Sequence, residues 1–180
     1  MRRDALRPRR GPPRWARMAG YVLLLILVQG LLSRLGDAAG LPAPDLFLLT
    51  GAALAWRVSP VWALAGAYGV GLAQDLLGGG VLGLHAAGVM GGALLALGVR
   101  RYMADSGPFQ AVFTVLLAVI GQWLMFLLLT YWLRSNLVTL DLLRATLPAL
   151  MIGTLLVFPL WERVVTWAFG PRTGPEEALG

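Results

Sequence analysis

The stretch GLAQDLLGGGVLGLH, Gly71 to His85, sets Gln74, Asp75 and the chain's single histidine beside a run of three glycines in otherwise apolar surroundings. The polar residues are informative because the flanking chain is so apolar. An ionisable side chain among membrane-spanning segments is costly and marks a functional site by default. Upstream, Ala63, Ala67, Gly71 and Asp75 recur at every fourth position, and downstream Gly88, Gly92 and Ala96 do the same. Residues four apart share one helix face, so each set is a stripe of small residues along which a neighbouring backbone can approach closely. With the tight turn Gly78-Gly79-Gly80 between them, the two stripes predict an antiparallel hairpin. Asp75 and His85 then face each other across its closed end.

The whole chain has the same character. Of 180 residues 58% are hydrophobic and 13% charged, which places it with integral membrane proteins. Six apolar segments are expected as helices at 18–35, 45–58, 60–77, 82–99, 109–133 and 143–167. The fold class expected is therefore all-α: a polytopic six-transmembrane-helix bundle with short loops. A single membrane domain (18–167) lies between a basic tail (1–17) and a flexible polar tail (168–180). A cleaved signal peptide is the alternative for the first segment, but five further apolar segments favour an uncleaved span. The second segment is the exception in length. Its 14 residues reach only about 21 Å as a helix, so it is either short or extended backward through Leu41 and Pro42.

Every basic residue is an arginine, and seven of the 15 fall in the first 17 positions. Such a block before an apolar run is a cytoplasmic topology anchor that also suits anionic lipid headgroups. It lacks the interleaved aromatics and folded module expected of nucleic-acid binding. With six spans and a cytoplasmic N-terminus, Arg57, Arg100, Arg101, Arg163 and Arg172 lie inside, and Arg34, Arg134 and Arg144 outside. Without a crossing by the second segment the later loops swap sides and the bias reverses. The positive-inside rule thus favours six spans with both termini cytoplasmic. Trp56, Trp62, Tyr102, Trp161 and Trp167 then fall near the inner interface, with Tyr131 and Trp132 near the outer one.

Other polar residues have simpler expectations. Asp45, after Pro42 and Pro44, suits the N-cap of the second helix. Gln122 sits in mid-span and needs a partner from another helix. Pro148 and Pro159 predict kinks or local unwinding, and Glu162 and Arg163 snorkel to the inner interface. Arg100-Arg101 is a topology anchor or faces an inner-membrane partner or lipid headgroups. The Asp75–His85 pair has three readings: a structural bond that fixes the hairpin, a contact for a partner's helix, or a proton or ligand site. The chain has no cysteine and no second histidine for a metal cluster. It has no nucleophile elbow, P-loop or dinucleotide glycine pattern. No catalytic residue, cofactor or metal is expected.

On Pro44-Asp45-Leu46, the run GVGLAQDLLGGGVLGLHA from Gly69 to Ala86, the length and the span count, the chain resembles MreD, the small polytopic membrane protein of the bacterial cell-elongation machinery. Residue by residue the resemblance covers about 25 positions. It implies a non-enzymatic scaffold in the cytoplasmic (inner) membrane. The implied partners are MreC, the synthase formed by RodA and a class B penicillin-binding protein, cytoplasmic MreB filaments and membrane lipid. The residues it marks for structure or partner contact are Pro44, Asp45, Gly71, Asp75, Gly83, His85 and Gln122. The alternative from another class is a small-molecule-binding membrane component of a transporter, with Gln74, Asp75 and His85 in its pocket.

Overall fold

The computed structural model describes residues 14–79, 81–103, 107–134 and 139–172, and among them there are six helices and no strand. They are α1 (Arg14–Ala39), α2 (Leu46–Leu54), α3 (Pro60–Gly78), α4 (Leu84–Tyr102), α5 (Pro108–Trp132) and α6 (Leu140–Phe169). Both tails lie mostly outside the described residues. Three helices are long and apolar enough to cross a membrane: α1, α5 and α6. At 19 residues each, α3 and α4 reach about 28 Å. Their glycines, alanines and polar residues, which let them pack closely, also make them less apolar.

The second helix is the centre of the molecule. It has nine residues, fewer than the 14 expected, and spans about 14 Å. There is no backward extension, because residues 41–45 are non-helical and Pro42 and Pro44 fall among them. All nine helical residues are buried. A helix this short leaves most of its terminal N–H and C=O groups without intrahelical partners, and burial there is tolerable only if side chains supply them. They do so at both ends. Asp45 caps the N-terminus by accepting from the Leu48 N–H at 2.8 Å. The amide of Gln29 on α1 clamps the entry turn, donating to the Pro44 carbonyl (3.1 Å) and accepting from the Leu46 N–H (2.8 Å). The Asp45 N–H donates to Thr154 Oγ1 of α6.

At the other end, Arg57 donates to the Ala53 carbonyl and Arg100 to those of Ala55 and Val58. Arg57 also donates to Glu162 Oε1 (2.6 Å), to Thr166 and to the Gly170 carbonyl, and Arg172 donates to the same Glu162 oxygen. Arg57 and Arg100 are therefore buried anchors of α2, whereas the sequence suggested topology markers, and Arg101 alone of its pair is exposed. Glu162, expected to snorkel, is held between two guanidinium groups.

The aromatic residues divide between interior and surface. Trp56 and Trp161 are 5% and 4% exposed and belong to the interior. Trp161 and Tyr21 both donate to Thr50 Oγ1, whose own hydroxyl donates to the Leu46 carbonyl, tying α1 and α6 to α2. Trp62, Tyr102, Tyr131, Trp132 and Trp167 are exposed. Helix α6 continues through Pro148 and Pro159 without a break.

The small-residue stripes also behave differently from each other. On α3, the buried residues are Ala63, Ala67, Gly71 and Asp75, the expected stripe. On α4, Gly88 faces α5 and Gly92 faces the seam between α5 and Leu48 of α2; neither faces α3. A Cβ on Gly88 would meet Phe126 and Gln122, and one on Gly92 would meet the Ala118 carbonyl. Helix α4 has close-packing faces on both sides, and the sequence pattern alone did not say which neighbour each face takes. Gly91 and Gly121 bring the α4 and α5 backbones together in the same way.

Candidate functional site

Asp75 lies in the last turn of α3, where the stripe aims it at the beginning of α4. The α4 N-cap is Gly83, which has φ +94 and no side chain to cap with. Asp75 does that work from the preceding helix. Its Oδ2 accepts from the N–H groups of Gly83 (2.8 Å) and Ala86 (3.2 Å), and its Oδ1 from the His85 N–H (3.0 Å) and His85 Nδ1 (2.8 Å). Three otherwise orphaned donors of the first turn are thus satisfied, and the carboxylate sits at the positive end of the helix dipole. The approach depends on Gly71, one turn earlier, where a Cβ would collide with the His85 carbonyl and the Ala86 Cα.

The expected facing pair is therefore present, but its geometry is that of a joint. A carboxylate offers about four acceptor sites, and Asp75 fills four, three of them with backbone. Nothing is left on it to take a substrate proton or a ligand. Because the carboxylate accepts, His85 Nδ1 carries the proton of this bond, leaving Nε2 as the other ring position. The imidazole packs edge-on against Phe126 of α5, with ring centres 5.5 Å apart.

Asp45 has a different environment. Its Oδ1 accepts from the Leu48 N–H and its Oδ2 from Gln122 Nε2 at 2.7 Å, across 77 residues of sequence. The partner expected for Gln122 is thus Asp45, also singled out in the sequence. Asp45 is 7% and Gln122 1% exposed. The contact fixes the amide orientation, since a carboxylate can only accept, and it leaves Gln122 Oε1 without a partner among the described residues.

These groups share one cavity of about 320 Å³, whose walls include Gln29, Gln74 and His85 beside Asp45, Gln122 and Trp123. The structure thus gathers Asp45, His85 and Gln122 around one space, with Asp75 behind His85. Pro44 acts through its carbonyl and Gly71 and Gly83 through backbone geometry. Gln29 and Thr154 were not singled out in the sequence, where a lone glutamine or threonine on an apolar helix gives no directional signal. Among the described residues no three His, Cys, Asp or Glu side chains gather as a metal-binding group.

No family model matches the chain, and neither a curated protein nor a solved structure matches it. The functional reading therefore rests on the residues themselves.

Proposed function

We propose that the chain is a non-enzymatic membrane scaffold of the MreD type, crossing the cytoplasmic membrane six times and organising lateral wall synthesis. Its partners in this reading are MreC and the RodA–penicillin-binding protein synthase, with MreB on the cytoplasmic side. The observation that carries it is the use made of the two motif aspartates. Asp45 and Asp75 are both buried carboxylates that cap helix starts, so the residues behind the family resemblance serve the shape of the bundle. A further support is the outward surface of α1 and α6. The most apolar window of each is only 11% buried, which leaves long faces for lipid or a partner's helix.

Affinity purification of the full chain from detergent extracts tests the proposal. Recovery of MreC or the synthase is expected, and an extract that yields no wall-synthesis protein contradicts it. The cavity bounded by Asp45, Gln122 and His85 favours a second reading, a small-molecule-binding component of a transporter. That reading predicts a retained small molecule and a growth defect tied to one nutrient.

A further inference from the structure

Beyond the last turn of α6 the chain doubles back on the bundle. The C-cap, Gly170, has φ +92, a left-handed value that glycine adopts without strain. Two residues on, Arg172 lies against the end of α2. Its guanidinium stands over the ring of Trp56 at 5.5 Å and that of Phe158 at 5.9 Å, and its Nε donates to Glu162 Oε1 at 2.9 Å. Arg57 fastens the same segment by donating to the Gly170 carbonyl at 2.9 Å. Trp56, two residues past α2, is only 5% exposed under this cover.

The two guanidinium groups on Glu162 are not equivalent. The Arg57 side chain is 2% exposed and has three further acceptors, in Gly170, Ala53 and Thr166. The Arg172 side chain is 23% exposed and donates only through Nε among the described residues. Its Nη groups make no bond there, yet neither is among the buried unpaired atoms, so both keep surface for an incoming acceptor. Departure of Arg172 strands no charge, because Glu162 remains paired with Arg57 at 2.6 Å. A partly exposed ion pair is weak and screened by salt. The attraction of a basic side chain to an anionic bilayer surface is of similar size. Phosphate also accepts two parallel N–H bonds from a guanidinium, and Glu162 leaves the Nη ends unused. Such a surface is within reach of this arginine. Helix α6 is long and apolar enough to cross a membrane, and Trp167 in its last turn is 50% exposed, as suits an interfacial residue.

We propose that residues 170–172 form a strap that closes the bundle over Trp56 at the end of α2, and that an anionic phospholipid headgroup opens it by taking Arg172 from Glu162. The strap stands apart from the scaffold reading. It requires that α6 end at a bilayer surface, and neither a protein partner nor a particular side of the membrane.

The test places the full chain in nanodiscs of phosphatidylcholine alone or of equal phosphatidylcholine and phosphatidylglycerol. Hydroxyl-radical oxidation read by peptide mass spectrometry separates Trp56 from the other six tryptophans, and Trp161, 4% exposed, is the buried standard. In phosphatidylcholine both should be protected. Phosphatidylglycerol should raise oxidation of Trp56 about fivefold, the shift that one basic residue gains at an anionic surface, and leave Trp161 unchanged. Arg172→Gln should show the raised level in both lipids. Glycerol phosphate added to the phosphatidylcholine discs offers the same chemistry in solution and should leave Trp56 protected. Equal protection of wild-type Trp56 in the two lipids overturns the proposal. So does a lipid response that survives in Arg172→Gln, or a Trp56 that this variant keeps protected in phosphatidylcholine. Opening by glycerol phosphate to the same extent overturns the membrane as the source. The lipid comparison on the unaltered chain decides the matter even if the variant misfolds, which exposure of Trp161 would reveal.

Discussion

The Asp75 carboxylate reaches His85 through both its ring and its backbone N–H, at 2.8 and 3.0 Å, and so joins α3 to α4 by capping a helix to which it does not belong. A cap supplied across a turn makes the hairpin angle depend on one side chain. Replacing it with alanine leaves three N–H groups of the α4 start without their acceptor. Loss of a cap and burial of unpaired donors together cost about 3 kcal/mol. Asp75→Ala should lower unfolding stability in a denaturing-detergent titration by roughly that amount, with His85→Gln costing under about 1 kcal/mol because the three backbone bonds survive. Equal losses in the two variants would show that the imidazole, not the cap, holds the joint.

Glycines on α3 should separate by position. A Cβ on Gly71 runs into the α4 backbone, while one on Gly69 meets nothing within 4 Å. Overpacking at Gly71→Ala should destabilise by about 1–3 kcal/mol, whereas Gly69→Ala should be neutral or stabilising by up to about 1 kcal/mol through helix propensity. Paired unfolding curves check the sign of each.

The Asp45–Gln122 contact invites a double-mutant cycle. Asp45→Asn, Gln122→Leu and their combination should show a coupling of about 1–2 kcal/mol, the range for a hydrogen bond to a charged group. A coupling near zero would mean that the two side chains contribute independently.

Helix number and most helix positions were legible in the sequence, because long apolar runs punctuated by Gly, Pro and Arg leave few alternatives. Asp45 as an N-cap, the facing of Asp75 and His85, and the α3 stripe were legible for the same local reasons. Less visible was anything requiring knowledge of which helix lies beside which. Gly88 and Gly92 read as partners for α3 and pack on α5, since an α4 rich in small residues offers close approach on more than one face. Arg57 and Arg100 read as interfacial charges because nothing in the sequence shows that α2 ends inside the bundle, where its carbonyls need donors. Gln29 was missed for the corresponding reason at the other end of α2.

Six crossings can be checked without background, because the chain has no cysteine. Val81→Cys, in the turn between α3 and α4, and Arg101→Cys, at the end of α4, are both exposed positions. In intact cells a membrane-impermeant maleimide should label the first and spare the second until the membrane is permeabilised. The reverse pattern would mean that the second segment does not cross.

In the scaffold reading, the Asp75–His85 joint acts by shaping the bundle for its partners and not by chemistry at the imidazole. The decisive measurement is recovery of MreC with affinity-purified His85→Gln and Gly71→Val, each first shown to be folded in detergent. The prediction is near wild-type recovery with His85→Gln and a loss of roughly tenfold or more with Gly71→Val, equivalent to about 1.4 kcal/mol of binding. Loss of MreC from folded His85→Gln together with its retention by Gly71→Val would contradict it.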